Sequence, residues 1–219
     1  MGLLDIIAAR RSDLGPPPAP STVVDESVFA TKALAKFLTT LTARRAPVLL
    51  DLGPVVGSNV TYFGEQLGCK IFVEDIYADL DRHVRERKIE SLPSFLSKRF
   101  PQADASVDGI LCWDLIDYMD RESAQALATQ LMRVLRPDGA LLGFFGTAQP
   151  RDMNYTKYVI VDDVALRHRQ YSAARGRQAI LLNRDIIRLF SGLRVSDSFL
   201  LKNNTREILF RKPAWEGRT

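Results

Sequence analysis

The sequence predicts an α/β fold: a doubly wound, mostly parallel sheet of seven strands, with helices on both faces and an antiparallel hairpin at the C-terminal end. Two observations support this prediction. Short apolar runs alternate with segments whose apolar residues recur at helical spacing, and the last two apolar runs flank the polar pair Asn203-Asn204. Strands that alternate with helices form parallel sheets with right-handed crossovers, whereas a short polar connection joins antiparallel strands.

Length and composition indicate one globular domain with a short N-terminal extension. The chain has 219 residues, of which 46% are hydrophobic and 26% are charged, and this is enough for a sizeable core. The proline-rich stretch at residues 15–20 predicts a stiff linker. We therefore divide the chain into an N-terminal segment with its linker, residues 1–20, and a domain, residues 21–219.

The sequence carries no signal for a membrane span or a metal site. No apolar run approaches the roughly 20 residues that cross a bilayer, and at the N-terminus the charges follow a short apolar stretch, which is the reverse of a secretory signal. The two cysteines, Cys69 and Cys112, have no metal-ligand spacing. We expect a cytoplasmic protein with neither a metal nor a membrane partner.

The first half of the domain is predicted to alternate helices with strands. Ser27 has the character of a helix cap, and apolar residues recur at helical spacing from Phe29 to Leu41. The elements predicted after this helix are a strand at 48–52, a helix from Ser58 or Asn59 to the stop signal Gly68, a strand at 70–74, a helix at 79–87 and a short third strand around Leu92.

The second half continues the alternation and then changes to the hairpin. The largely apolar run at 107–113 predicts a buried strand, and Asp120 caps a helix whose core face lies within 127–135. The remaining predicted elements are a turn at 136–139, a strand at 140–145, a helix at 184–190 with Asn183 as its cap, and the hairpin strands 193–201 and 206–211.

The stretch at 48–59 and the acids that follow it point to a ligand. The first predicted strand ends in Asp51 and a turn that holds Gly53 and Gly57, and the next strand ends in Glu74 and Asp75. In open α/β sheets, glycines after the first strand let the backbone approach a nucleotide, and an acid after the next strand accepts hydrogen bonds from ribose hydroxyls. The order of these residues predicts a nucleotide-type pocket.

Three stretches in this order resemble the motifs of class I, Rossmann-like S-adenosylmethionine-dependent methyltransferases, and the resemblance covers residues 46–212. Residues 50–57 stand at the family's glycine-rich first motif and 73–76 at its ribose-binding acid. Residues 100–114 and 135–141 resemble the family's fourth strand and the turn into its fifth. The resemblance implies S-adenosylmethionine as the cofactor and methyl transfer as the reaction.

The resemblance also implies roles for the residues around the predicted cofactor. Asp51 would hold the methionine end, although a carboxylate at this place also satisfies turn amides. Neighbouring side chains of a strand point to opposite faces, so only one of the two acids after the second strand would reach the ribose. The match of residues 73–76 to the family's motif favours Asp75. The cofactor-binding candidates are Asp51, Gly53, Gly57, Glu74, Asp75, Ile76 against the adenine, and Trp113, which could stack on adenine or substrate.

Acceptor-side candidates follow the fourth and fifth predicted strands. Asp114 could orient the substrate or face the sulfonium charge, and it is the catalytic candidate. Asp117 and Tyr118 follow it closely at the same mouth. Downstream of the fifth strand, Tyr155 and Tyr158 would lie over the pocket. A core-rim tryptophan and a helix-entry acid are the structural alternative for residues 113 and 114.

The glycine-rich motif is degenerate in this chain. The family pattern has three alternate glycines, and Val55 stands at the middle position between Gly53 and Gly57. A valine side chain takes room that glycine leaves for a ligand, and Pro54 stiffens the turn. We therefore expect cofactor binding that is weakened, rearranged or absent. The spacing also departs from the dinucleotide fingerprint, which disfavours a dehydrogenase.

Three functions remain open from the sequence. The first is methyl transfer from S-adenosylmethionine to an unidentified acceptor, with a small molecule favoured. The second, which Val55 supports, is a non-catalytic scaffold or partner-binding module of the same fold. The third is an RNA methyltransferase, which only the arginine-rich stretch at residues 167–177 supports.

Overall fold

A computed structural model of the protein describes residues 27–149, 153–178 and 180–214. The predicted N-terminal segment and linker, residues 1–20, lie outside these ranges. The strands are β1 (Ser27–Ala30), β2 (Val48–Asp51), β3 (Lys70–Val73), β4 (Val107–Trp113), β5 (Leu135–Gly146), β6 (Asn154–Ile160), β7 (Ala165–Ser172), β8 (Arg194–Leu200) and β9 (Thr205–Arg211). The helices are α1 (Leu34–Thr42), α2 (Gly57–Thr61), α3 (Ile76–Arg85), α4 (Leu92–Leu96), α5 (Arg121–Val134) and α6 (Asn183–Leu189).

The main sheet has six strands in the order β3-β2-β4-β5-β9-β8. Neighbours from β3 to β5 are parallel, and β9 runs antiparallel to both β5 and β8. The α/β fold, the mostly parallel sheet and the antiparallel C-terminal hairpin are therefore confirmed. The expected count of seven strands is not confirmed, because the stretch around Leu92 forms helix α4. Pro93 lies in the first turn of that helix, where proline is favoured, and Leu92 and Leu96 both reach the core.

Helices cover both faces of the main sheet, as its alternating side chains require. In β2, Leu49 packs on one face and Leu50 on the other, and in β4 Leu111 and Cys112 alternate in the same way. The apolar side of α1 covers the first of these faces, and α3, α4, α5 and α6 cover the second. Because both faces are buried, the strands contain long apolar runs.

The helix expected from Ser27 begins later, and this part of the prediction is wrong. Residues Ser27–Ala30 form β1, which pairs antiparallel with β7, and α1 starts only at Leu34. Exposure alternates along β1, which is the period of a strand. The amides of Lys32 and Ala33 donate to the buried carboxylate of Glu207, which supplies the capping that the sequence had suggested for Ser27.

A second sheet, in the order β1-β7-β6, is antiparallel throughout. It is attached to the main domain at α2, because the Asn59 side chain donates to the carbonyl of Tyr158 (2.8 Å) and accepts from the amide of Ile160 (2.9 Å). These two hydrogen bonds place the aromatic residues of β6 beside the carboxyl ends of the parallel strands. Among the residues described, no helix is long and apolar enough to cross a membrane.

Candidate functional site

The sequence-predicted residues meet at the carboxyl edge of the parallel strands. Asp51 is the last residue of β2, and Glu74 and Asp114 directly follow β3 and β4. The amide of Glu74 donates to the carbonyl of Asp51 (2.8 Å), and the amide of Leu52 donates to the carbonyl of Leu111 (3.0 Å). Open α/β sheets bind ligands at this edge.

In the turn after β2, the side chain of Val55 lies in solvent. The side chain of Val55 is 68% exposed, and the position of Gly57, which opens α2, has open space around it. Neither Gly53 nor Gly57 has a positive φ. Val55 therefore takes no room from the floor of the turn, and a different residue decides whether a ligand can lie there.

That residue is Trp113, whose indole ring covers Gly53. A Cβ atom placed on Gly53 would lie 2.9 Å from the Nε1 atom of Trp113 and 3.0 Å from its Cδ1 atom. The indole N–H donates to the Oδ1 atom of Asp51 at 2.6 Å, and the same oxygen accepts from the amide of Gly53 at 2.9 Å. The glycine thus makes room for a side chain of the protein itself.

Trp113 is held over the glycine by its own backbone and by the second sheet. Its φ is +51°, an unusual value for a bulky residue, and its side chain is 3% exposed. The ring stacks on Tyr158 of β6 with centroids 4.9 Å apart and planes 6° apart, and it meets Phe144 edge-on at 5.6 Å. Positive φ costs about 1–2 kcal/mol in a non-glycine residue, and these contacts offset that cost.

Asp51 is buried beneath the indole, and its surroundings favour the neutral acid. Burial raises the pKa of Asp51 to about 6, although the hydrogen bonds from Gly53 and Trp113 oppose this shift. Asp75 adds a smaller electrostatic contribution in the same upward direction. Asp51 therefore serves the turn and the indole in this structure, as one of its two sequence interpretations expected.

The two acids after β3 have different partners. The Oε2 atom of Glu74 accepts from Arg99 at 2.6 Å, and its Oε1 atom accepts from Gln102 at 3.0 Å. Asp75 is half-buried and caps α3 by accepting from the amide of Ala78 at 3.0 Å. Burial raises the pKa of Asp75. Asp75 is thus the more available of the two carboxylates for a ligand.

Ile76 and Trp113 do not line an open pocket in this structure. Ile76 is fully buried in the core between the main sheet and α3, and Trp113 stacks on a protein ring. Two surface cavities lie elsewhere, one beside α2 next to Gly57 and the other beside α3 and α4. One, of about 660 Å³, has Ser58, Tyr62 and Asp162 among its lining residues, and the other, of about 550 Å³, has His83, Lys98 and Arg99 among its own.

Two buried carboxylates follow β4, and we call Asp114 and Asp117 the acid pair. Arg177 donates to the Oδ2 atom of Asp114 at 3.0 Å and lies 3.2 Å from the Oδ2 atom of Asp117. Tyr77 donates to the Oδ1 atom of Asp114 at 2.6 Å. Asp114 and Asp117 are 0% and 2% exposed, and burial raises the pKa of Asp117 to about 7 against the lowering effect of Arg177.

Sequence reasoning placed the acid pair correctly at the mouth but missed Arg177 and Tyr77. Arg177 belongs to the arginine-rich stretch that supported the RNA alternative, yet its Nη1 atom would lie only 1.6 Å from a Cβ atom on Gly146. The glycine at the end of β5 therefore makes room for the guanidinium. That glycine is the only sequence signal that could have indicated such a close approach.

Comparison with known proteins matches part of the chain to one family. Residues 50–143, from β2 to the middle of β5, match the methyltransferase domain family. The chain has the class I S-adenosylmethionine-dependent methyltransferase fold. The matched segment holds the glycine turn, the two acids after β3 and the acid pair. No curated protein matches the chain.

Solved structures share the fold at low sequence identity. A 1,6-didemethyltoxoflavin-N1-methyltransferase from Burkholderia thailandensis, solved with 1,6-didemethyltoxoflavin and S-adenosylhomocysteine, is 18% identical over 83% of this chain and 78% of its own, with a TM-score of 0.47. The [4+2]-cyclase SpnF is 13% identical over 83% and 80%, with a TM-score of 0.50. The glycopeptide N-methyltransferase MtfA, solved with S-adenosylmethionine, is 13% identical over 82% and 92%, with a TM-score of 0.45.

The family match supports S-adenosylmethionine as the cofactor, and the residues present fit it in part. The acid-bearing turn of β2 and the half-buried Asp75 lie at the sheet edge where the sequence predicts the cofactor. The indole of Trp113, however, lies against the glycine that the cofactor would approach. A ligand can approach the backbone of Gly53 only after Trp113 has moved away from it.

Proposed function

We propose that this chain catalyses methyl transfer from S-adenosylmethionine to a small-molecule acceptor. The observation that carries the proposal is the meeting of Asp51, Gly53 and Asp75 at one sheet edge, inside the segment that matches the methyltransferase domain. The matched relative from Burkholderia thailandensis acts on a small heterocycle by its description. That likeness adds context only, since fold alone does not decide a substrate.

Each residue of the edge has a role in this proposal. S-adenosylmethionine, when bound, supplies a methyl group that is already activated by the sulfonium charge. Gly53 lets the ligand approach the backbone, and Asp75 accepts hydrogen bonds from vicinal hydroxyls. Asp114 orients the acceptor. The protein then has mainly to align the acceptor and exclude water, and the second sheet beside the edge serves the exclusion.

The enclosed position of the acid pair favours a small acceptor over RNA. Asp114 and Asp117 are buried, and Tyr118, which donates to Asp114, packs against Tyr155 of β6. In the arginine-rich stretch, Arg175 faces Asp120 at 3.7 Å and Arg177 faces the acid pair. These two side chains are therefore not part of an open cationic face, which a nucleic-acid backbone would need.

A second candidate function has its own supporting observation. The indole over Gly53 fills the floor with a stacked, hydrogen-bonded ring, which suits a non-catalytic module of the same fold. In that case the filled edge would be a structural core rather than a pocket. The two functions differ in whether the chain binds the cofactor at all.

Calorimetric titration with S-adenosylmethionine and S-adenosylhomocysteine tests the proposal, with Asp75→Asn and Glu74→Gln as a matched pair. We expect saturable binding to the wild type. Asp75→Asn should weaken it by more than about tenfold, because charge-assisted hydrogen bonds contribute roughly 1.5–3 kcal/mol. Glu74→Gln should change it by less than about threefold, since Arg99 and Gln102 hold that side chain.

Equal losses in the two variants would contradict the assignment of the ribose contact to Asp75. No binding by any form of the protein, including one in which Trp113 has been removed, would favour the non-catalytic module. A steep salt-dependent affinity for RNA with no response to small acceptors would instead support the RNA methyltransferase.

A further inference from the structure

The acid pair is occupied by a cation of the chain itself. Arg177 lies in the segment that follows β7, 63 residues from Asp114 in the sequence, and its guanidinium contacts both carboxylates. Its guanidinium also occupies the space that a Cβ atom on Gly146 would fill. An aspartate pair that would repel itself when ionised is thus held together by one positive group.

The fit of Arg177 to the acid pair is incomplete. The Oδ1 atom of Asp117 is buried and accepts no hydrogen bond, and the Nε atom of Arg177 donates none. Asp117 itself is 2% exposed. Buried carboxylate oxygens are normally satisfied, because an unpaired one costs free energy. The acid pair therefore has more capacity to accept hydrogen bonds than the arginine uses.

Tyr77 and Tyr118 donate to Asp114 at 2.6 and 3.3 Å, and Tyr155 and Tyr171 pack behind them; we call these four residues the tyrosine cage. Consecutive rings touch at centroid distances of 5.0 Å (Tyr77 to Tyr155), 4.8 Å (Tyr155 to Tyr118) and 5.5 Å (Tyr155 to Tyr171). The guanidinium carbon of Arg177 lies 5.7 Å from the centroid of the Tyr118 ring. Aromatic faces next to carboxylates are the surroundings that bind ammonium and guanidinium groups.

We propose that the acid pair and the tyrosine cage bind the cationic head of the methyl acceptor, an alkylammonium or alkylguanidinium group, in the place that Arg177 fills when the acceptor is absent. The head anchors the acceptor and is not itself the methylated atom. That the ligand is the methyl acceptor rests on the proposed function. That the ligand carries a positive charge rests on the acid pair alone.

The test uses ethylguanidinium as the probe and ethylurea, its uncharged analogue of the same shape, as the control ligand. Both are titrated into the full chain without cofactor, and the Nε–H signal of Arg177 is followed by ¹⁵N NMR and assigned by its loss in Arg177→Ala. We expect ethylguanidinium to shift this signal saturably and ethylurea to leave it unchanged. Asp117→Asn should weaken the binding by about tenfold or more, because it removes one charge from the pair.

A matched control separates this site from ordinary ion-pair replacement. Arg99 also joins two carboxylates, those of Glu74 and Asp79, at 2.6 and 2.7 Å. Arg177→Ala should bind ethylguanidinium about tenfold or more tightly than the wild type does, whereas Arg99→Ala should gain much less. An equal gain in the two variants, or an unresponsive Arg177 signal in the wild type, would overturn the proposal.

The result stands apart from the cofactor titration. S-adenosylmethionine binding with no response to ethylguanidinium would leave methyl transfer in place and overturn the cationic acceptor. A response to ethylguanidinium without cofactor binding would support the cation site and count against methyl transfer.

Discussion

The carboxyl ends of β3 and β4 carry the same chemistry in opposite settings. At β3, Arg99 joins Glu74 to Asp79 near the surface, and the arginine side chain is 24% exposed. At β4, Arg177 joins Asp114 to Asp117 with the two carboxylates 0% and 2% exposed. The first cluster keeps partial contact with water, since the side chains of Glu74 and Asp79 are 15% and 10% exposed. The second replaces water with tyrosine rings, so that its charges interact more strongly and its unpaired atoms cost more.

This difference shows which end of the edge can still take a ligand. At β3, Glu74 is held by Arg99 and Gln102, while the half-buried Asp75 beside it caps α3 through its Oδ1 atom. At β4, Trp113 and Arg177 occupy the space from inside the protein. We therefore propose the first end for the ribose, whereas the second opens only when a protein side chain moves.

The largest expected effect comes from removing the two arginines in turn. Arg177→Ala should lower the free energy of unfolding by about 3–5 kcal/mol, because it leaves buried carboxylates without their cation. Arg99→Ala should lower it by less than about 2 kcal/mol, since water still reaches Glu74 and Asp79, whose side chains are 15% and 10% exposed. Denaturant unfolding at neutral pH measures both. Equal losses of unfolding free energy in the two variants would contradict the difference between the two clusters.

Asp51 lies on β2, between β3 and β4. The pH dependence of its protonation tests whether its surroundings resemble those at β3 or those at β4. Its folded pKa of about 6 lies above the ordinary 3.8, so the folded chain binds the proton more tightly than the unfolded chain. This tighter proton binding adds to the free energy of unfolding below pH 3.8, and the contribution is lost as the pH rises through about 6. We expect the wild type to lose roughly 1–3 kcal/mol relative to Asp51→Asn across this window.

Urea unfolding of wild type and Asp51→Asn between pH 4 and 7 checks this prediction. Asp163→Asn, at an exposed position, serves as the control for a general effect of removing one carboxylate. A wild type that gains stability relative to Asp51→Asn as the pH rises would mean that Asp51 is ionised and paired, as at β3.

Local patterns in the sequence were enough to predict the sheet edge. Strand β2 ends at Asp51 and β3 ends just before Glu74 because apolar runs stop at polar residues there, and parallel strands bring such ends together. The same reasoning placed Asp114 and Asp117 at the mouth. These predictions needed only the order of strands and the direction of each chain segment.

The state of the edge depended on contacts that local patterns do not contain. Trp113 covers Gly53 through a positive φ and through a ring from β6, and Arg177 arrives from beyond β7. Strand β1 was misread as a helix for the same reason, since its structure comes from pairing with β7. Val55 drew attention as a break in the motif, whereas a tryptophan on another strand closes the floor.

Titration of S-adenosylhomocysteine into Trp113→Gly, Trp113→Phe and Val55→Gly tests the central claim most directly. Glycine tolerates the positive φ and removes the ring, while phenylalanine keeps a ring but donates nothing to Asp51. We predict that Trp113→Gly binds about tenfold or more tightly than the wild type, with the other two variants within about threefold of it. Unchanged affinity in Trp113→Gly, or a comparable gain in Val55→Gly, would contradict the claim that the indole of Trp113 closes the cofactor floor.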